Sequence, residues 1–187
     1  EVPLPPPGIP GMRLNRALID AAKGAGVRFV NGSKAVAHRD DNGRLAAVSI
    51  ASAGANREYP ADAFVYAAGG FESGTLTYDS FGEVSETLLG LPLSVPEGDL
   101  VHGDYWGGDQ PLFTAGVAVG DGMIVVDPAT GTPVYDNLYA AGGILAGATR
   151  WTEKSGEGIA AASAVLAADA ILAASAQQVD KSQEVAS

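Results

Sequence analysis

A chain of 187 residues with 47% hydrophobic side chains is long enough for one good core or two small ones, and its composition is that of a soluble globular domain. Its 11 basic and 22 acidic residues leave a formal net charge of −11, which opposes binding to nucleic-acid phosphates and to anionic lipid surfaces, so no nucleic-acid partner is expected. The absence of cysteine removes disulfides, thiolate zinc sites, cysteine nucleophiles and iron–sulfur ligation, while His38 and His102 stand too far apart in sequence for a metal-ligand spacing. Redox chemistry in such a chain needs a borrowed organic cofactor. No apolar stretch is expected to reach the roughly eighteen residues of a membrane span, the longest being alanine-rich and interrupted by Asp169. The opening Glu1-Val2-Pro3-Leu4-Pro5-Pro6-Pro7 lacks an initiating methionine, so residue 1 is expected to lie inside a longer natural protein.

In chain order, residues 1–10 form a proline-rich lead. Met12 to Ala22 follow with Leu14, Leu18 and Ala22 on one helical face, Ile19 beside them, and Gly24 and Gly26 as a stop. Val27-Arg28-Phe29-Val30 alternates as a strand. Lys34 to Arg39 and Leu45 to Ser52 then pair across Asp40-Asp41-Asn42-Gly43 as a β-meander. Phe64 to Ala67 is a continuous apolar run, as in a strand of a parallel sheet covered on both faces, and it closes the region 11–70 on Gly69-Gly70. Residues 71–113 are rich in Gly, Pro, Ser, Thr and aromatics without a sustained period, which predicts an irregular excursion of the kind that builds a substrate pocket. Regular structure is expected again over 114–176. It comprises Val117 to Val119, Met123 to Val126, a last strand Leu138 to Ala141, a glycine-spaced loop through Gly147, and a helix from about Ile159 to Ala174. A frayed tail over 177–187 completes the chain.

The pentapeptide Tyr-Ala-Ala-Gly-Gly occurs at Tyr66 to Gly70 and again at Tyr139 to Gly143, each time ending an apolar run. Either copy alone reads equally well as the end of a buried strand in an alanine-rich protein. Together they suggest two strand ends that bring bare backbone to one shared ligand. The helix that follows the second copy opens on Ser155-Gly156-Glu157-Gly158, and its free N–H groups would favour an anion in the same crevice. Gly156 to Ala161 matches G-x-G-x-x-A, yet the long loop before it and the lack of a following strand with a ribose-binding acid exclude a complete NAD-type unit here.

Asn137-Leu138-Tyr139-Ala140-Ala141-Gly142, with Gly147 and a helix from Gly158, resembles the C-terminal FAD-binding signature of the fumarate reductase and succinate dehydrogenase flavoprotein superfamily. Phe64 to Phe71 resembles that superfamily's strand before its substrate region. A closer resemblance is to the B-subunit family of anaerobic glycerol-3-phosphate dehydrogenases. It runs through Gly11 to Leu14, Gly69 to Gly74, Leu89-Gly90-Leu91, Gly103 to Trp106 and the terminal signature. The resemblance implies an α/β fold: a portion of an FAD-binding flavoprotein, mostly parallel sheet plus β-meander, with an irregular substrate-region insertion at 71–113. It places the family's main phosphate-binding turn upstream of residue 1, so that 1–187 correspond to the C-terminal half and are expected to be inactive alone. It implies FAD (or FMN) held by Gly69, Gly70, Gly142, Gly143, Gly147, Gly156, Gly158 and Ile159. The implied reaction oxidises sn-glycerol 3-phosphate to dihydroxyacetone phosphate by hydride transfer to flavin N5. Electrons would pass to quinone through a catalytic flavoprotein subunit and a membrane-associated iron–sulfur subunit, at the inner face of the cell membrane on the cytoplasmic side. Gly143 stands where the fumarate reductase pattern has glutamate, and no histidine precedes Gly147-Ala148-Thr149-Arg150, which points away from fumarate chemistry.

Two polar side chains are candidates for the reaction itself. Arg150, after the glycine loop, suits a small anionic substrate or the charge of reduced flavin, and reads alternatively as a solvated surface arginine. His102 suits the general base that removes a hydroxyl proton, and reads alternatively as a structural histidine. Lys154 stands as Arg150 does, and Asp104, Tyr105 and Trp106 suit a pocket wall or simple packing. Two other functions stay open: a non-catalytic flavoprotein-like scaffold subunit, and a flavin dehydrogenase acting on another small acid.

Overall fold

The computed structural model describes residues 8–52, 54–104 and 106–185, and the chain divides into two compact units, Glu1–Ser33 and Lys34–Ser187. Most of the proline-rich lead and Tyr105 lie outside the described residues. In the first unit, α1 (Ile9–Gly24) starts three residues earlier than the apolar period predicts, because Pro10 occupies its first turn, where no backbone N–H is needed. It ends as Ala25 N–H and Gly26 N–H reach back to the Ala21 and Lys23 carbonyls, both at 3.0 Å. The expected strand at 27–30 does not form. Its alternation is real, but the unit offers no strand edge to complete a ladder among the described residues.

The second unit begins with the meander β1 (Lys34–Asp41), β2 (Arg44–Ser52) and β3 (Ala55–Pro60), antiparallel in that order. Asn42 and Gly43, with φ of 47° and 78°, make the tight turn that sets Asp41 opposite Arg44. After β4 (Phe64–Tyr66), the segment expected to be irregular contains the hairpin β5 (Leu76–Tyr78) and β6 (Val84–Glu86), then β7 (Leu93–Ser94), which pairs with β8 (Gly116–Val117). The hairpin is organised by Asp79, whose Oδ1 accepts the N–H groups of Phe81 and Glu83 at 2.8 and 2.9 Å. The short strand β9 (Leu138–Ala140) lies parallel to β4. That is the one parallel sheet among the described residues, so the mostly parallel sheet expected from the sequence is corrected: the other three sheets are antiparallel.

Two helices follow, α2 (Arg150–Glu153) and α3 (Gly156–Val185). Helix α3 runs on as far as Val185, into the segment expected to fray. It also corrects the expectation about membrane spans: Gly156–Gln177, 22 residues, is long and apolar enough to cross a bilayer by length and composition. Alanine keeps the stretch apolar despite Glu157 and Asp169. In the structure one stripe of α3, with Ser163 and Ala167, is buried, and Val165, Leu166 and Leu172 are exposed.

The core joins Leu45, Tyr66, Leu89, Leu91, Val117, Val125, Leu138, Ala140, Ile144 and Leu145. Two buried polar side chains set how these segments meet. Asn137 accepts the Leu45 N–H at 2.9 Å and donates to the carbonyls of Leu45 at 2.9 Å and Asp62 at 3.0 Å, tying the start of β2 and the approach to β4 to the residue before β9. Glu86 accepts the Tyr66 hydroxyl and three backbone N–H groups, those of Leu88 and Leu89 at 2.7 Å and Leu91 at 3.2 Å. Burial, and then the neighbouring Glu86 carboxylate, push the Tyr66 phenol well above its ordinary range. His38 is structural as well: its Nδ1 donates to the Leu88 carbonyl at 3.2 Å and its ring meets Tyr135 edge-on.

Replacing Asn137 by Ala leaves buried backbone groups without partners and is expected to cost about 2–3 kcal/mol, read from urea unfolding midpoints. Because the folded Tyr66 pKa lies above the unfolded value of 10.0, its contribution is intact below that pH and declines above it as the unfolded phenol ionises. Alkaline unfolding should therefore be shallower in Tyr66→Phe than in the native protein, measured by circular dichroism between about pH 9 and 12.

Candidate functional site

The repeated pentapeptides end the two strands of the parallel sheet, side by side. Phe64 pairs with Leu138, Val65 with Tyr139 and Tyr66 with Ala140, and Ala141 N–H continues the ladder to the Tyr66 carbonyl at 3.1 Å. The two copies are thus offset by one residue, and their glycines converge. A Cβ placed on Gly70 would lie 2.9 Å from the Gly143 carbonyl oxygen, and one on Gly143 would lie 2.8 Å from Arg150 Nη1. One on Gly69 would meet Ser73 Oγ at 2.7 Å. At Gly70 backbone already fills the space a side chain would take, whereas the atoms met at Gly143 and Gly69 belong to the side chains of Arg150 and Ser73, and Gly69 also has a φ of 84°.

Gly142 shares with Gly69 a left-handed backbone, with φ of 77°, and lies in ordinary contact with α3. A Cβ there would lie 3.8 Å from the Ala160 methyl, and its N–H donates to Ser163 Oγ at 2.9 Å. Ser163 Oγ in turn donates to the Ile159 carbonyl at 2.6 Å. This buried serine fixes the first turns of α3 against the end of β9. The first bond of α3 runs from Ile159 N–H to the Ser155 carbonyl at 2.9 Å, so the N–H groups of Gly156, Glu157 and Gly158 precede it.

Arg150 begins α2 and its side chain is 22% exposed. Its guanidinium lies over Gly70 and Gly143 and faces Glu72 at 3.6 Å. Glu72 belongs to the short 3-10 turn Phe71–Ser73 that follows the first pentapeptide. Together with Lys154, Gly156 and Glu157 the pair lines a cleft of about 390 Å³. Nearby, Glu153 accepts hydrogen bonds from Ser155 at 2.8 Å and Thr149 at 2.9 Å, which lower its pKa in that order of importance. Those bonds shape the bend at Lys154, whose φ is 55°.

The other expected residues lie elsewhere. His102 is exposed and held by Gln110, whose Oε1 accepts the His102 N–H at 2.7 Å while Nε2 donates to the His102 carbonyl at 3.0 Å and faces the ring Nδ1 at 3.3 Å. It does not line the Arg150 cleft. Asp104 turns the chain by accepting the Trp106 N–H at 3.1 Å, and the Trp106 side chain is 90% exposed. Sequence reasoning gave no individual role to Glu72, Ser163, Asn137 or Glu86, although Glu72 and Asn137 stand inside the motifs it singled out. Glu72 had a signal, standing two residues after a repeated glycine pair. Ser163 had a weaker one, as a polar position four residues after Ile159 on an otherwise apolar face.

Residues 1–159 match the FAD binding domain family. The chain belongs to that family. It is 30% identical over 164 residues to the probable B subunit of anaerobic glycerol-3-phosphate dehydrogenase from Halobacterium salinarum strain R1, covering 87% of this chain and 38% of that protein. It is 29% identical over 173 residues to the B subunits of anaerobic glycerol-3-phosphate dehydrogenase from Vibrio vulnificus strain CMCP6 and Actinobacillus pleuropneumoniae serotype 5b, covering 88% of this chain and 37% and 39% of those proteins. The chain therefore spans less than two fifths of the length of these relatives. No solved structure matches it.

The residues present fit the family's cofactor. Gly147, Gly156 and Gly158 border open space, since a Cβ on any of them would meet nothing within 4 Å. The early N–H groups of α3 stand beside that bare surface, a donor set suited to the phosphate or carbonyl oxygens of a flavin nucleotide. The glycines thus fall into two groups, and a stability contrast tests the division. Gly158→Ala, in open space on a helix, is expected to keep or raise the melting temperature, by up to about 1 kcal/mol of helix propensity. Gly70→Ala is expected to lower stability by about 1–3 kcal/mol, because its Cβ would fall 2.9 Å from the Gly143 carbonyl oxygen and that backbone cannot step aside, both changes being read by thermal unfolding.

Proposed function

We propose that this chain forms the C-terminal, substrate-facing part of an FAD-dependent oxidoreductase that oxidises sn-glycerol 3-phosphate to dihydroxyacetone phosphate. The observation that carries the reading is the meeting of both pentapeptides at one end of the β4–β9 pair, with Arg150 over their last glycines and the opening of α3 beside them. When bound, FAD supplies the hydride acceptor, N5, for the alcohol carbon. This chain's residues have the remaining tasks. Arg150 offers a planar, permanently charged fork for the substrate's phosphate, and Lys154 adds positive charge to the same cleft. The N–H groups of Gly156, Glu157 and Gly158 bear on the negative charge that the cofactor carries or gains. The reading rests on Arg150 and not on His102, whose backbone and ring are engaged by Gln110.

The names of the relatives add partners to the proposal. A protein named as one lettered component of a dehydrogenase works with others, which in this reading are a catalytic flavoprotein subunit and a membrane-associated iron–sulfur subunit delivering electrons to quinone at the inner face of the membrane. The cysteine-free chain needs such partners, having no thiolates of its own for a cluster. The 187 residues alone are inactive in this reading.

A second reading, a flavoprotein-like scaffold that docks a catalytic partner, is favoured by one observation. The outer face of α3 exposes Val165, Leu166 and Leu172, and β4 exposes Val65. The experiment joins the chain to an upstream dinucleotide-binding half. Visible flavin absorbance should copurify and bleach anaerobically with glycerol 3-phosphate, and Arg150→Gln should slow bleaching about 10- to 100-fold. A flavin-free protein that still assembles with partner subunits would overturn the enzyme and support the scaffold.

A further inference from the structure

We propose that Glu72 is a positioning residue that holds Arg150 on its glycine seat and gives it up to a small oxyanion, so that ligand and Glu72 compete for one guanidinium. The identity of the anion, a phosphate monoester, rests on the oxidoreductase reading given above.

A Cβ on Gly143 would fall 2.8 Å from Arg150 Nη1, and a Cβ on Gly70 would fall 3.6 Å from both Arg150 Nη2 and Glu72 Oε2. Gly143 therefore clears the floor on which the guanidinium lies, and Gly70 lets the Gly143 carbonyl approach beneath it, at 2.9 Å from where its Cβ would stand. Arg150 is kept largely out of solvent there, with its side chain 22% exposed, which removes much of the hydration an arginine would otherwise have.

The pair itself is loose. Its closest N···O distance is 3.6 Å, longer than the roughly 2.7–2.9 Å of a charge-assisted hydrogen bond. A guanidinium has five N–H donors, and among the described residues Glu72 is its one carboxylate partner. Glu72 is 51% exposed on a short turn, so it can swing into solvent at little cost. The donors Arg150 leaves unused face a cleft of about 390 Å³, within the size range of small-ligand sites. A phosphate monoester or a carboxylate offers the paired oxygens that such a fork binds at shorter range than Glu72 does.

Competition has a signature that simple structural support lacks. Isothermal titration of the 187-residue chain with inorganic phosphate at low salt should show binding that Glu72→Gln tightens about 2- to 5-fold, the value of removing a surface ion pair. Arg150→Gln should weaken it about 10-fold or more, and Glu72→Gln should then bring no gain. Arg150→Lys, which keeps the charge and loses the fork, serves where Arg150→Gln fails to fold, and should bind more weakly than the native chain. Titration with malonate in parallel tells a carboxylate site from a phosphate site by which anion binds more tightly. Failure of the native chain to bind either anion, weaker binding in Glu72→Gln, or an equal gain from Glu72→Gln with and without Arg150 would each overturn the proposal. The titration needs no flavin, so a protein that binds phosphate competitively but is never reduced by glycerol 3-phosphate would leave the latch standing while the oxidoreductase reading fell.

Discussion

Two backbones meet at Gly70 and Gly143 more closely than any side chain would allow, and the arrangement of the second unit follows from that approach. Strands β4 and β9 are only three residues long, too short to hold register by their ladder alone. Their bare ends let the turn at Phe71–Ser73 and the loop leading to Arg150 lie against each other. One more carbon at either glycine would push the carbonyl of Gly143 or the guanidinium of Arg150 aside.

Around this contact the protein uses buried polar groups as fasteners. Asn137 locks the meander to β9 before the strand begins, Ser163 locks α3 to Gly142 after it ends, and Glu86 gathers the chain that follows β6. Each fastener has its hydrogen bonds made within the fold, which is the condition under which a buried polar side chain specifies a structure instead of weakening it. Between the fasteners the packing is built from small and branched apolar residues, such as Ala140, Val117 and Ile144, that need only complementary shape.

Much of this was legible from residue patterns. The Asn42-Gly43 turn, the apolar run at Phe64 and the doubled pentapeptide all report local chemistry, and local chemistry survives into the fold. What escaped was non-local. The alternation at Val27 to Val30 promised a strand, but pairing depends on an edge supplied from elsewhere. Arg150 was visible as a cation after a glycine loop, whereas its partner Glu72 lies 78 positions away and only the convergence of two strand ends joins them. His102 suited a general base by its side-chain chemistry, and chemistry alone says nothing of where a loop will carry the ring. Helix α3 ran past its expected end because a polar tail with no proline and no glycine contains nothing to stop a helix already under way.

The carboxylate of Glu86 gathers three backbone amides. The amides of Leu88, Leu89 and Leu91 all donate to this one side chain, and the Tyr66 hydroxyl closes the same group. Backbone amides in a ladder can open one at a time from a frayed end. These three share a single acceptor residue, at the end of β6, that is sealed by the first residue of the first pentapeptide. Solvent can reach them together or hardly at all, so the stretch from β6 to Leu91 opens as one cooperative piece whose timing is coupled to the strand that leads into the site.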